Sequence, residues 1–95
     1  MHASIRRYKA KGNINEAIDL IKKEFIPAMA RMPSFLAYYA MDAGDDVVVT
    51  ISVFEDAAGA DASNREAAKL VGEKLSDLVD GPPEITSGEV LAAES

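Results

Sequence analysis

The chain has 95 residues, 48% of them apolar and 27% charged, with a net charge of −6 and no cysteine. That length allows one hydrophobic core and not two, so residues 1–95 are read as a single domain. The missing cysteines remove disulfides and thiolate chemistry, and the acidic balance argues against a nucleic-acid partner, which would call for a basic face.

No apolar run approaches the roughly 18 residues that a membrane-spanning helix needs. The N-terminus, Met-His-Ala-Ser-Ile-Arg-Arg-Tyr, lacks the apolar core of a secretory signal. No membrane association and a cytoplasmic location are therefore the expectation. The charge is uneven: residues 1–41 hold seven Lys/Arg against three Asp/Glu (net +4), and residues 42–95 hold three against thirteen (net −10). Arg6, Arg7 and Lys9 fall in a predicted strand, so the positive half reads as pairing with acidic neighbours on adjacent strands rather than as a basic tail.

In chain order, Ala3 to Lys9 reads as the first strand, ending at Lys11-Gly12-Asn13. Asn13 and Glu16 fit an N-cap and a residue three further on that can reach back, a variant of the capping box. The first helix follows, with Ile14, Ala17, Ile18, Ile21, Phe25, Met29 and Met32 on one face and Asp19 and Lys23 paired on the other. Pro27 lacks the N–H that would bond to Lys23, so it should kink the helix or open its ladder there; Pro33 ends it.

Phe35 to Met41 and Val47 to Phe54 flank Asp42-Ala-Gly-Asp-Asp46, a hairpin with the Gly and Asp that a short loop requires. Residues 55–61 lead into a second helix running to about Val79, with Ala60, Asn64, Ala67, Ala68, Val71, Leu75 and Leu78 inward. Asp80-Gly81-Pro82-Pro83 stops it. The last strand is Glu84 to Ala92, where Gly88 predicts a bulge or a close backbone approach, and Glu94-Ser95 is a frayed end.

This β-α-β-β-α-β order is that of the split βαβ, ferredoxin-like α+β arrangement. Right-handed crossovers place the strands 4-1-3-2, antiparallel, with both helices on one face. Arg6 and Arg7 then sit mid-sheet, near acids such as Glu55 and Glu89. Both faces of the hairpin are apolar: Val47, Val49, Ile51 and Val53 oppose Val48, Thr50, Ser52 and Phe54, and Phe35, Ala37, Tyr39 and Met41 oppose Leu36, Tyr38 and Ala40. Helices can cover one face only, so a second copy of the sheet is expected on the other.

Several segments resemble the dimeric α+β barrel superfamily, and in particular its antibiotic-biosynthesis-monooxygenase-like branch. They are Ile5-Arg-Arg-Tyr8, Met32-Pro-Ser-Phe35, Val49-Thr-Ile-Ser-Val-Phe-Glu55, Ala62-Ser-Asn64 and Gly88-Glu-Val90. The resemblance implies a homodimer whose sheets face one another and a small pocket between each sheet and its helices. It also implies a cofactor-independent monooxygenase-like protein binding a small aromatic or quinol-type ligand. The haem-degrading members typically carry an Asn, a Trp and a His as a set; this chain has no Trp, and its single His is His2 at the terminus, which argues against that activity.

Five residues are candidates for ligand binding. Asn64 falls on the apolar face of the second helix, where its amide could bond a ligand oxygen or be satisfied by backbone. Tyr38 and Tyr39 point to opposite faces, so one could orient a ring while the other meets a partner sheet; both, like Tyr8, could instead be packing residues. Arg6 and Arg7 suit a planar anion, or pair with Glu89 and Glu55. No metal motif, phosphate loop or nucleophile elbow is present. The rival reading is a non-catalytic ligand-binding or assembly module on the same fold.

Overall fold

A computed structural model describes residues 1–94; Ser95, the end of the expected frayed terminus, lies outside the described residues. The strands are β1 (His2–Lys9), β2 (Phe35–Asp42), β3 (Val47–Phe54) and β4 (Glu84–Glu89), and the helices are α1 (Ile14–Leu20), α2 (Ile26–Ala30) and α3 (Ala57–Leu70). The sheet is antiparallel in the order β2-β3-β1-β4, the expected order read from the other edge. Among the described residues no helix is long and apolar enough to cross a membrane.

Asn13 caps α1 by accepting the Asn15 N–H at 2.9 Å. Glu16 contributes its backbone N–H to the Asn13 carbonyl. The ladder opens before Pro27: Ile21–Phe25 is a π-helical turn, and the Ile26 N–H reaches the Ile21 carbonyl. A π turn is a way of lodging a residue that cannot donate without breaking the helix. Ala17, Ile21, Phe25 and Met29 are buried along the face toward the sheet, each large side chain among them worth about 1.5–3 kcal/mol of burial.

The second helix begins sooner than expected, at Ala57, because Asp56 caps it by accepting the Gly59 N–H at 2.8 Å. Its buried residues are Ala60, Ser63, Ala67, Leu70 and Leu75, while Ala68 is exposed. After Leu70 an α-helical step of four would turn Lys74 inward. The π turn Val71–Leu75 adds one residue and brings Leu75 to the core instead. The regular helix stops there, short of Val79, which makes an isolated bridge to Ala10.

Two expectations about the strands are corrected. Gly88 pairs with Ala3 in unbroken register and has open space around its Cα, so it marks neither a bulge nor a close approach, and β4 ends at Glu89. The bulge lies instead at Leu36, between Phe35 and Ala37. It turns Phe35 onto the helix side, where its ring meets Phe54 edge-on at 5.7 Å, whereas unbroken alternation put it with Tyr39.

Candidate functional site

The antiparallel register lays a polar grid on the helix-facing side of the sheet. Arg6 on β1 lies between Thr50 on β3 and Ile85 on β4; one pleat away, Ser4 lies between Ser52 and Ser87. Helix α3 lays Ser63 and Asn64 over this grid. All of Ser4, Arg6, Thr50, Ser52 and Ser63 are completely buried.

Arg6 makes four hydrogen bonds. Its Nε donates to Asn64 Oδ1 (3.0 Å), Nη1 to Thr50 Oγ1 (3.4 Å), and Nη2 to Ser52 Oγ (3.2 Å) and Ser63 Oγ (3.0 Å). Of the five N–H groups of a guanidinium, one on Nη1 remains. None of the four partners is a carboxylate, so the expected pairing with Glu89 or Glu55 is not made. Glu89 stands beside His2, at the far end of the ladder from Arg6, and both acids are exposed. Burial draws the Arg6 pKa down from its usual value, against an opposing pull from Tyr8 and Tyr38. A buried cation among neutral dipoles is poorly compensated, since desolvation costs several kcal/mol.

The acceptors are themselves fixed. Ser63 donates its proton to the Ala60 carbonyl at 2.6 Å, which leaves its oxygen facing Arg6 as an acceptor. Asn64 Nδ2 donates to Ser4 Oγ at 3.2 Å, and Ser4 continues to Ser87 at 2.9 Å. With Oδ1 held by Arg6 and one Nδ2 proton by Ser4, Asn64 keeps one N–H uncommitted.

Tyr8 is buried beside Arg6, and among the described residues its hydroxyl has no hydrogen-bond partner; the same is true of the Tyr38 hydroxyl. Burial pushes the Tyr8 pKa up to about 12 and raises that of Tyr38 as well. Thr50 lies close enough to both to oppose the rise, but neither phenol reaches it with hydrogen-bonding geometry. Both phenols are therefore neutral at physiological pH.

A cleft of about 480 Å3 opens between α3, the following π turn and the β1–β4 side of the sheet. Arg6, Tyr8 and Asn64 form its polar end. Ala67, Ala68, Val71, Val79, Pro82, Pro83 and Ile85 supply apolar walls. The size and the few convergent polar groups suit a small organic ligand. Its lining contains no carboxylate and no His, and among the described residues no cluster of three or more His, Asp or Glu could hold a metal ion.

The structure thus brings Arg6 and Asn64 together in one site. Tyr38 lies on the helix side in the core beyond Arg6, outside the cleft lining. Tyr39 is 60% exposed on the opposite face, and Arg7 is exposed on that face opposite Glu84. Tyr8, weighed in the sequence with the other tyrosines, is the one that borders the cleft. Ser63, Thr50, Ser52 and Ser4 were not singled out from the sequence. A signal was present: Ser4 and Arg6, and Thr50 and Ser52, are polar pairs at strand spacing, on one face of two neighbouring strands.

No family model and no curated protein matches the chain. Solved structures do. The protein of unknown function NE2512 from Nitrosomonas europaea is 25% identical, with a TM-score of 0.85 over 99% of this chain and 92% of that one. The monooxygenase from the gene ActVA-Orf6 of Streptomyces coelicolor, solved with nanaomycin D, is 19% identical with a TM-score of 0.79, over 99% and 90% of the two chains. SnoaB, a cofactor-independent oxygenase from Streptomyces nogalater, is 17% identical with a TM-score of 0.77, over 97% and 94%; an asparagine-to-alanine form of it is also similar. The chain has the ferredoxin-like α+β fold of the antibiotic-biosynthesis-monooxygenase-like proteins.

Proposed function

We propose that the chain is a monooxygenase-like protein, acting as one domain without a cofactor, that binds a small aromatic or quinol-type ligand in the cleft between sheet and α3. The observation that carries this reading is the pairing of Arg6 with Asn64 at the polar end of a mainly apolar cleft. The free Nδ2–H of Asn64 donates to a ligand oxygen. The Arg6 charge, which no protein carboxylate neutralises through a hydrogen bond, favours that oxygen as an anion. Tyr8 flanks the ring, and the apolar walls bind its faces and exclude water. Oxidation of an activated ring CH2 to a carbonyl by dioxygen balances without an outside reductant: one oxygen atom enters the product and the other leaves as water. Similarity to SnoaB and to the ActVA-Orf6 monooxygenase supports the assignment.

The working form in this reading is a homodimer. Ile5 (38% exposed), Tyr39 and Met41 (49%) stand on the sheet face that the helices leave open, and a second copy of the same face would cover them.

The cleft's lack of a carboxylate or His favours a second reading, a ligand-binding module that performs no chemistry, because no protein group there can take a proton from a neutral phenol. Oxygen consumption separates the two. With hydroxylated naphthalenes or anthrones, the first reading requires protein-dependent oxygen uptake that falls at least tenfold in Asn64→Ala. Tight binding with no uptake at any pH would establish the second.

A further inference from the structure

Behind the cleft's polar end, unspent donors lie around Thr50. Thr50 Oγ1 accepts from Arg6 Nη1, so its own proton is available. Tyr8 and Tyr38 come close to Thr50 from the neighbouring rows, and each has a buried hydroxyl without a partner among the described residues. The second Nη1–H of Arg6 is also unspent. Three hydroxyl protons and one N–H thus lie beside a charge that no carboxylate partners, and Tyr8 and Tyr38 pack with the core that holds Phe25 and Met29. Buried phenols left without partners are costly, and two beside one buried cation call for an occupant that accepts hydrogen bonds and carries negative charge.

We infer that Arg6, Thr50, Tyr8 and Tyr38 form a binding site for a small monovalent anion, adjoining the cleft at its Arg6–Tyr8 wall. Such an ion accepts all four donors without needing a donor of its own to be satisfied, and in the chain without an aromatic ligand it compensates the guanidinium where Asn64, Ser52 and Ser63 do not. The site is distinct from the position of the aromatic ligand, since Tyr38 and Thr50 do not line the cleft, and it rests on no assumption about oxygen chemistry.

Azide is a suitable probe. Thermal unfolding of the full chain would be followed as sodium azide replaces sodium gluconate at fixed ionic strength, with the azide stretching band recorded in parallel. The expected result is a Tm rise of roughly 5 to 10 °C at about ten times Kd and a shifted band from bound azide. Tyr8→Phe/Tyr38→Phe should weaken azide binding at least tenfold. Tyr38→Phe alone, which only deletes an unpartnered hydroxyl and so should fold, should weaken it several-fold. Equal effects of azide and gluconate, meaning an internal water only, would overturn the site, as would undiminished azide binding in the double variant. Because no phenol is present, azide binding is read independently of ligand turnover, and either can fail without the other.

Discussion

Asn64 Oδ1 accepts the Nε–H of Arg6 at 3.0 Å, so an amide on α3 and a guanidinium on the central strand fix one another's orientation across the sheet–helix interface. Replacing Asn64 with Ala strands the Nε–H in a buried place. The expected loss is about 1–3 kcal/mol of stability, together with most of the affinity for phenolic ligands. Asn64→Asp should do the opposite to stability, adding a charge-assisted bond to Arg6, while weakening an anionic ligand at least tenfold. Urea unfolding and calorimetric titration of the two variants side by side check both.

Alkali should unfold the protein through Tyr8. Its pKa is about 12 in the folded chain against about 10 when exposed, so the folded state holds the proton more tightly. The stabilisation is complete below pH 10 and is lost as pH rises through 12, with about 2–3 kcal/mol at stake. The raised pKa of Tyr38 acts in the same direction. Tyr8→Phe should flatten the fall in urea midpoint above pH 10, and should remove a late-ionising phenol from the titration of absorbance near 295 nm.

Gly59 sits where the first turn of α3 presses on the end of β3. A Cβ there would meet Ser34 Oγ and come within 2.9 Å of Phe54 Cδ2. Phe54 is fully buried against Phe35, so the ring has little room to yield. Gly59→Ala should cost about 1–3 kcal/mol despite its better helix propensity, whereas Gly72→Ala, with open space around it, should be neutral or slightly stabilising. Thermal melts of the pair test the contrast.

If the open sheet face is a dimer interface, charge placed there should dissociate it. Tyr39→Glu/Met41→Lys is expected to move the sedimentation coefficient from that of a dimer to that of a monomer at micromolar concentration, leaving the far-ultraviolet circular dichroism unchanged. A wild-type chain that sediments as a monomer throughout would remove the dimer from the account.

The topology was legible because it depends on period and punctuation. The Asp42–Asp46 loop, the Gly81-Pro82-Pro83 stop and the β-branched run of β3 admit few other arrangements, and Pro27 announced the opened ladder. What escaped were features of one extra residue: the bulge at Leu36, which turns Phe35 over, and the π turn after Leu70, which lets Ala67 and Leu70 share the buried face with Leu75, the residue expected there. Arg6 was placed mid-sheet correctly, but its partners were sought among acids by charge. The ladder register offers it hydroxyls instead, and only the three-dimensional crossing of α3 over β1 brings Ser63 and Asn64 to it.

In the proposed function the cleft holds an oxygenated aromatic against Asn64 and Arg6. Ala68 is exposed on α3 yet lines the cleft, so Ala68→Trp would fill the space without disturbing the core. Calorimetric titration with a dihydroxynaphthalene is predicted to show one site per chain in the wild type, and no binding in an Ala68→Trp protein whose Tm is unchanged. Binding that persists with the cleft filled, or a wild-type chain that binds no phenolic ring at all, would contradict the account.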